Sequence, residues 1–254
     1  MKTRRATSGR SRGFTLVEIM ISMTIVTLVM GMCMSTFLFG LRMMYKDTQR
    51  LATNSTLRYF MAQTSKATLD ASEFYIYPDY KTLGSSVSSV DDLTTATSDY
   101  YDIDLYHGDC LVLVTRTSLA EDSAVRQLCI YYRVVTSDTN GDGEVDMNDE
   151  GSIRYYEGPD YGESGTDDSL DDLLQEIDLA EDPYATGSQQ VASRALGRPK
   201  SDDSGERYPI FSSKSPMISA ENESVAINAE VINGTTVNNM LSSSSFNYTI
   251  SPRR

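Results

Sequence analysis

The 254-residue chain sets 22 Lys/Arg against 36 Asp/Glu, a formal net charge of −14, with 40% apolar residues, three cysteines and a mean hydropathy of −0.33. Lys2, Arg4, Arg5, Arg10 and Arg12 fall within the first 13 positions, so the remainder holds 17 basic and 36 acidic residues and stands at −19. A body that acidic argues against nucleic acid as a direct ligand, because phosphate binding needs clustered Lys/Arg; it fits divalent cations, export, a basic partner, or simply a solvated acidic surface.

The first element is apolar. From Phe14 to Leu41 there are 28 residues in which Glu18 is the only charge. At about 1.5 Å per residue this spans a hydrocarbon core of about 30 Å. Five positive charges precede it and none follows before Arg42, so residues 1–13 are expected to stay cytoplasmic and the rest to be exported. A cleaved secretory signal would need a shorter apolar stretch with its small residue after it; here the run is too long, and Gly13 lies before it. Glu18 costs roughly 2.5–3.5 kcal/mol at the centre of a membrane helix, so a charge placed there calls for a partner.

The run Arg12-Gly13-Phe14-Thr15-Leu16-Val17-Glu18 resembles the processing site of type IV prepilins and type II secretion pseudopilins. The resemblance covers about the first 30 residues and implies a prepilin peptidase that cuts after Gly13, methylation of the new N-terminal Phe14, and a helix that serves as membrane anchor and then as filament core. It also implies that Glu18 pairs with the N-terminal amine of a neighbouring subunit, which supplies the partner that an apolar medium demands. The implied partners are other pilin-like subunits, the peptidase, an inner-membrane assembly platform and lipid, with no direct nucleic acid. The implied location is the bacterial inner membrane, with the N-terminus cytoplasmic and the head periplasmic or extracellular, and then the filament.

No glycine or proline interrupts Leu41 to Tyr77. Met44, Leu51, Leu57, Phe60 and Met61 fall roughly at helical spacing, so the helix is predicted to continue through 42–70 with one half-buried stripe. The grammar then changes to strands: "EFYIY" before Pro78, "CLVLVTR" (110–116), "VRQLCIYYRVV" (125–135), "SIRYYE" (152–157), "SVAINAEVI" (224–232) and "SFNYTI" (245–250). Residues 158–206 read as an acidic insertion, a mobile surface loop or a partner-docking segment, with "SLDDLLQEIDLA" (169–180) as a short amphipathic helix. The predicted fold is α+β and pilin-like: one long N-terminal helix carrying an antiparallel sheet in a head that spans 71–254.

Cys33 lies in the apolar helix and reads as a packing residue. Cys110 and Cys129 are symmetric about a turn placed at Leu119 and Ala120, so an antiparallel hairpin is expected to bring them together as a disulfide, stable in an oxidising compartment.

"DTNGDGEVDMND" (138–149) has the spacing of a twelve-residue calcium loop. Its oxygen ligands would be Asp138, Asn140, Asp142, the carbonyl of Glu144, Asp146 and Asp149, with Gly143 at the sharp turn and Val145 tying the loop inward. Hard oxygen donors suit Ca²⁺ better than a softer metal. Asp149 in place of the usual Glu resembles dockerin-type loops, and strands on both sides make this a lone structural calcium loop, as in the heads of some pseudopilins. No Ser/His/Asp or Cys/His set can be assembled around His107, the single histidine, and there is no phosphate loop. The expectation is a structural, non-enzymatic subunit, and the bulk of the head favours a minor one. A major subunit, an anchored calcium-binding protein or an anchored enzyme are the alternatives.

Overall fold

The computed structural model describes residues 13–83, 95–96, 105–118, 123–146, 148–177, 179, 183–184, 187–197, 199, 206–213, 224–233 and 242–251. The basic leader before Gly13 lies outside the described residues. The chain divides into two units, Met1–Asp47 and Thr48–Arg254. Helix α1 (Leu16–Asp70) contributes to both.

In the first unit, α1 exposes its apolar side chains throughout, from Leu16 at 74% to Phe39 at 65%. An 18-residue window reaches a mean hydropathy of 2.1 with no residue buried, which is long and apolar enough to cross a membrane. The hydroxyls in this stretch bond to their own helix: Ser22 donates to the Glu18 carbonyl at 2.7 Å, Thr27 to that of Met23 at 3.0 Å and Thr36 to that of Met32 at 3.0 Å. Each of these three hydroxyls therefore brings its own acceptor, as a segment surrounded by hydrocarbon requires.

In the second unit the same helix buries Thr53, Leu57, Phe60, Thr64 and Thr68, a stripe at four- and three-residue steps. Only Leu57 and Phe60 of the predicted apolar stripe are buried; Met44 and Leu51 are exposed. Threonine takes the other places because its hydroxyl is satisfied on the helix itself, Thr64 Oγ1 donating to the Phe60 carbonyl and Thr68 Oγ1 to the Thr64 carbonyl at 2.8 Å each. A buried threonine bonded in this way presents mainly its methyl group to the sheet.

Among the described residues, ten strands form one antiparallel sheet: β1 (Glu73–Tyr77), β2 (Thr95–Ala96), β3 (Leu105–Gly108), β4 (Cys110–Arg116), β5 (Val125–Val135), β6 (Gly151–Glu157), β7 (Ser188–Gly197), β8 (Phe211–Ser213), β9 (Val225–Asn233) and β10 (Ser242–Ile250). Their order is β1-β4-β5-β6-β7-β9-β8-β3-β2, with β10 on β9. The α+β architecture is the predicted one. Segment 158–206 is more than an insertion, since it holds helix α2 (Leu170–Ile177) and β7, which pairs with β6 and β9 inside the sheet.

Both faces of β4 and β5 are covered. Leu111, Leu113, Cys129 and Tyr131 pack with Leu57 and Phe60 of α1, and the Phe60 ring meets Tyr131 edge-on at 5.9 Å. Val112, Val114, Leu128, Ile130 and Tyr132 pack on the opposite side with Leu173 and Leu174 of α2. This two-sided burial explains why these strands read as continuous apolar runs instead of alternating ones.

The expected disulfide does not form: Cys110 and Cys129 are free. Cys110 faces Tyr132 and Cys129 faces Leu113, with the last pair of the hairpin at Arg116↔Val125 and a bulge between Thr115 and Arg116. The connection is thus centred between residues 120 and 121, and the bulge adds one more step. Because side chains alternate with period two, this odd total displacement sends the two thiols to opposite faces of the sheet. Burial first, then the charges of Asp79 and Asp109, hold the Cys110 thiol well above its ordinary pKa. Burial also raises Cys129, whose sulfur lies 3.4 Å from the Tyr155 hydroxyl. Both are inert packing groups.

Candidate functional site

The proposed processing site sits at the start of α1. Gly13 and Phe14 precede the helix; Phe14 is 79% exposed, and a Cβ added at Gly13 would meet nothing within 4 Å. Among the described residues no packing contact therefore demands glycine at position 13.

Thr15 and Glu18 bond reciprocally. The Glu18 N–H donates to Thr15 Oγ1 at 3.3 Å, and the Thr15 N–H donates to Glu18 Oε2 at 3.5 Å. This is a capping box: two of the helix's orphan amides are satisfied by side chains three residues apart, and a carboxylate stands at the positive end of the helix dipole. Glu18 and Phe14 also share one shallow groove on the helix flank with Ile19, Ser22 and Met23. The sequence reading missed the cap, although the Thr-x-x-Glu spacing that signals it was in plain view.

The second predicted site, loop 138–149, is folded around hydrogen bonds. Gly141 and Gly143 take φ values of 84° and 94°, conformations that favour glycine. Their amides donate to Asp138 Oδ1 at 2.6 Å and to Asp138 Oδ2 at 2.9 Å. Asn140 Oδ1 accepts from the Asp142 amide and Asp142 Oδ1 from the Glu144 amide, both at 2.9 Å. Asp146 Oδ1 accepts from the Asn148 amide at 2.8 Å.

Asp149 is fully buried and is the anchor of the loop. Its Oδ1 accepts from the Thr139 and Asn140 amides at 2.6 and 3.0 Å, and its Oδ2 from the Asp146 amide at 3.1 Å. Burial acts to raise its carboxyl pKa, but these bonds outweigh burial and lower it below the ordinary aspartate value. Val145, expected to tie the loop inward, is 55% exposed; Asp149 does that work instead.

The donor chemistry of the loop, all oxygen, fits a hard cation such as Ca²⁺. The carboxylates, however, are turned onto the loop's own amides. Among the described residues, no three His, Cys, Asp or Glu side chains gather in a group that could hold a metal ion.

An ion pair that the sequence reading did not identify fastens this loop to the sheet. Arg133, whose side chain is fully buried, donates to Asp109 Oδ2 through Nε at 3.0 Å and through Nη2, and to the Asp149 carbonyl through Nη1 at 2.9 Å. Asp109 Oδ1 accepts from the Ile210 amide at 2.9 Å. Further along, Glu150 pairs with Arg194, and Asn148 Oδ1 accepts from the Arg207 amide at 2.7 Å. The end of the loop is thereby tied to β5, to β7 and to the segment before β8. An arginine inside the apolar run 129–135 was the available signal, since a buried guanidinium must have an acceptor.

A model of the prokaryotic N-terminal methylation motif matches residues 8–34 of the chain. The chain therefore carries the N-terminal signature of type IV prepilins and pseudopilins and is pilin-like in this region. No curated protein and no solved structure matches it.

Proposed function

We propose that this type IV pilin-like chain is a minor subunit of a filament, either a type II secretion pseudopilus or a type IV pilus, processed between Gly13 and Phe14 and assembled through α1. The observation that carries this reading is the junction itself: the methylation motif runs directly into a helix long and apolar enough to cross a membrane, whose apolar side chains are exposed among the described residues of its own unit. Such a helix is stable in lipid or against the helices of neighbouring subunits. Passing from one to the other exchanges two apolar surroundings, so the transfer is nearly balanced and a motor can drive it either way.

Gly13 is explained from outside the molecule. Among the described residues no packing contact requires it, and an open glycine beside an exposed Phe14 is what a peptidase needs in order to approach the peptide bond. Cleavage there creates a positive amine one residue before the Thr15–Glu18 cap. In the membrane Glu18 is held by its own helix; in the filament it is available to the amine of a neighbour. Cleavage after Gly13 leaves 241 of the 254 residues, which is bulky for a subunit packed in thousands of copies and supports the minor role.

The test is Glu18→Ala in the native host. Removing one member of a desolvated pair costs about 3–5 kcal/mol, so incorporation into filaments should fall at least about tenfold while cleavage and methylation continue. Normal incorporation of this variant would sink the pairing account.

We also propose that loop 138–149 takes a structural calcium ion. The support is its hard-oxygen donor set and the glycine turn at Gly143. Calcium at about a hundredfold above its dissociation constant should add about 2.7 kcal/mol of stability, read as a rise of roughly 5–10 °C in Tm. Asp142→Ala should abolish the shift. An unchanged Tm in millimolar calcium would refute the proposal.

A further inference from the structure

A groove of about 320 Å³ opens between α2 and the ends of β5 and β6, on the side of the sheet opposite α1. Leu128, Tyr156, Pro159, Tyr161, Glu176 and Ile177 are among its walls. Its frame is fixed before anything enters. The Gly158 amide donates to the Leu128 carbonyl at 2.8 Å and the Tyr161 amide to the Arg126 carbonyl at 2.9 Å, which pins segment 158–161 to β5. Leu173, also in the lining, is buried and seats α2 on the sheet. Ser169 caps that helix, its Oγ accepting from the Asp172 amide at 3.2 Å.

Among the groove's lining residues the charge is that of Glu176, and the surrounding sequence is acidic. From Tyr155 to Ser193 the chain places eleven acidic residues and no lysine or arginine. Asp160 is matched by Arg126 from β5. Glu176 stands in the groove beside the two tyrosines: burial first, then Tyr161 and Glu176, raise Tyr156, and burial, then Glu176 and Asp168, raise Tyr161. Glu176 thus shares the groove wall with both tyrosines.

We propose that this groove receives an arginine or lysine side chain from a basic, partly apolar segment of a partner protein. The alkyl stem would lie on Leu128, Leu173 and Ile177, and the cation would meet the tyrosine faces and the Glu176 carboxylate. Other ligand classes match less well. An anion would face the Glu176 carboxylate, a wholly apolar group would strip water from it without compensation, and a bare metal ion has no use for two aromatic walls. Aromatic rings beside an acid are the arrangement that organic cations favour, and arginine, with its flat and weakly hydrated head, suits it best. The inference goes beyond the filament reading and stands independently of it.

The test is ligand-observed NMR on the full chain in deuterated detergent, titrating the capped dipeptide Ac-Leu-Arg-NH₂. Its uncharged citrulline analogue, Ac-Leu-Glu-NH₂ and spermidine are run in parallel. Binding of the arginine peptide is expected, weakened about 5–10-fold by Glu176→Gln and by Tyr161→Leu and similarly in the citrulline analogue. The glutamate peptide should not bind. Glu176 is exposed on α2, so its isosteric change leaves the fold intact, as circular dichroism would verify. Equal binding of the citrulline analogue, an unchanged affinity in Glu176→Gln, or no binding by the arginine peptide would each overturn the proposal. Tighter binding of spermidine than of the peptide would overturn the assignment to a protein partner.

Discussion

Replacing Asp109 by alanine should destabilise the head more than any loss of an exposed charge. The Asp109 side chain is 9% exposed and faces Arg133, whose side chain is 0% exposed. It accepts two bonds from that guanidinium and one from the Ile210 amide. Alanine there leaves a buried guanidinium without its carboxylate and strands the Ile210 N–H. Breaking a buried pair from one side costs about 3–5 kcal/mol, which for a head of this size lowers Tm by roughly 10 °C. The pair in Asp109→Ala/Arg133→Met should cost clearly less than the sum of its single changes, because the orphaned charge is gone, with a coupling of at least about 1 kcal/mol. Near-UV circular dichroism reads the transition through the chain's 16 tyrosines, without interference from tryptophan, of which there is none. A single-variant cost below about 1 kcal/mol, or strict additivity in the double variant, would refute the view that this pair fastens the 138–149 loop to the sheet.

Phe60→Ala should cost about 3–5 kcal/mol by opening a cavity between α1 and Tyr131, measured by denaturant unfolding; a cost near zero would show that the helix is not seated on the sheet through this ring. At alkaline pH, Tyr75 sets a further limit. Burial first, then the charge of Glu73, to which its hydroxyl donates, push its pKa up from 10.0 to about 12. A phenol raised in the folded state contributes stability that is fully present below pH 10 and is lost as pH climbs from 10 through about 12. Comparing unfolding in this window with that of Tyr75→Phe should show a shallower decline in the variant, and identical slopes would contradict the assignment.

The processing motif was legible because it is local: Gly13, Phe14 and Glu18 lie within six residues, and the charge inside an apolar run announces itself. The strands that line the core were equally plain, since burial on both faces leaves unbroken apolar runs at 110–114 and 128–132. β7 escaped because its buried contacts come from Val191, Ala192 and Ala195, and two alanines among glutamines and serines give no period-two signal. The Cys110–Cys129 pairing failed because the hairpin is centred one residue later than expected and a bulge shifts the register once more, neither of which an apolar pattern encodes in a strand buried on both faces. The anchoring role of Asp149 and the partner of Arg133 depend on contacts 10 to 24 residues apart in sequence, so they emerged only with the fold.

The account rests most directly on the chemical state of the N-terminus in the native membrane. Mass spectrometry of the protein purified from that membrane should find its first peptide beginning at Phe14 with one added methyl group, and residues 1–13 absent. A chain still carrying its basic leader, or an unmethylated terminus at another position, would contradict it.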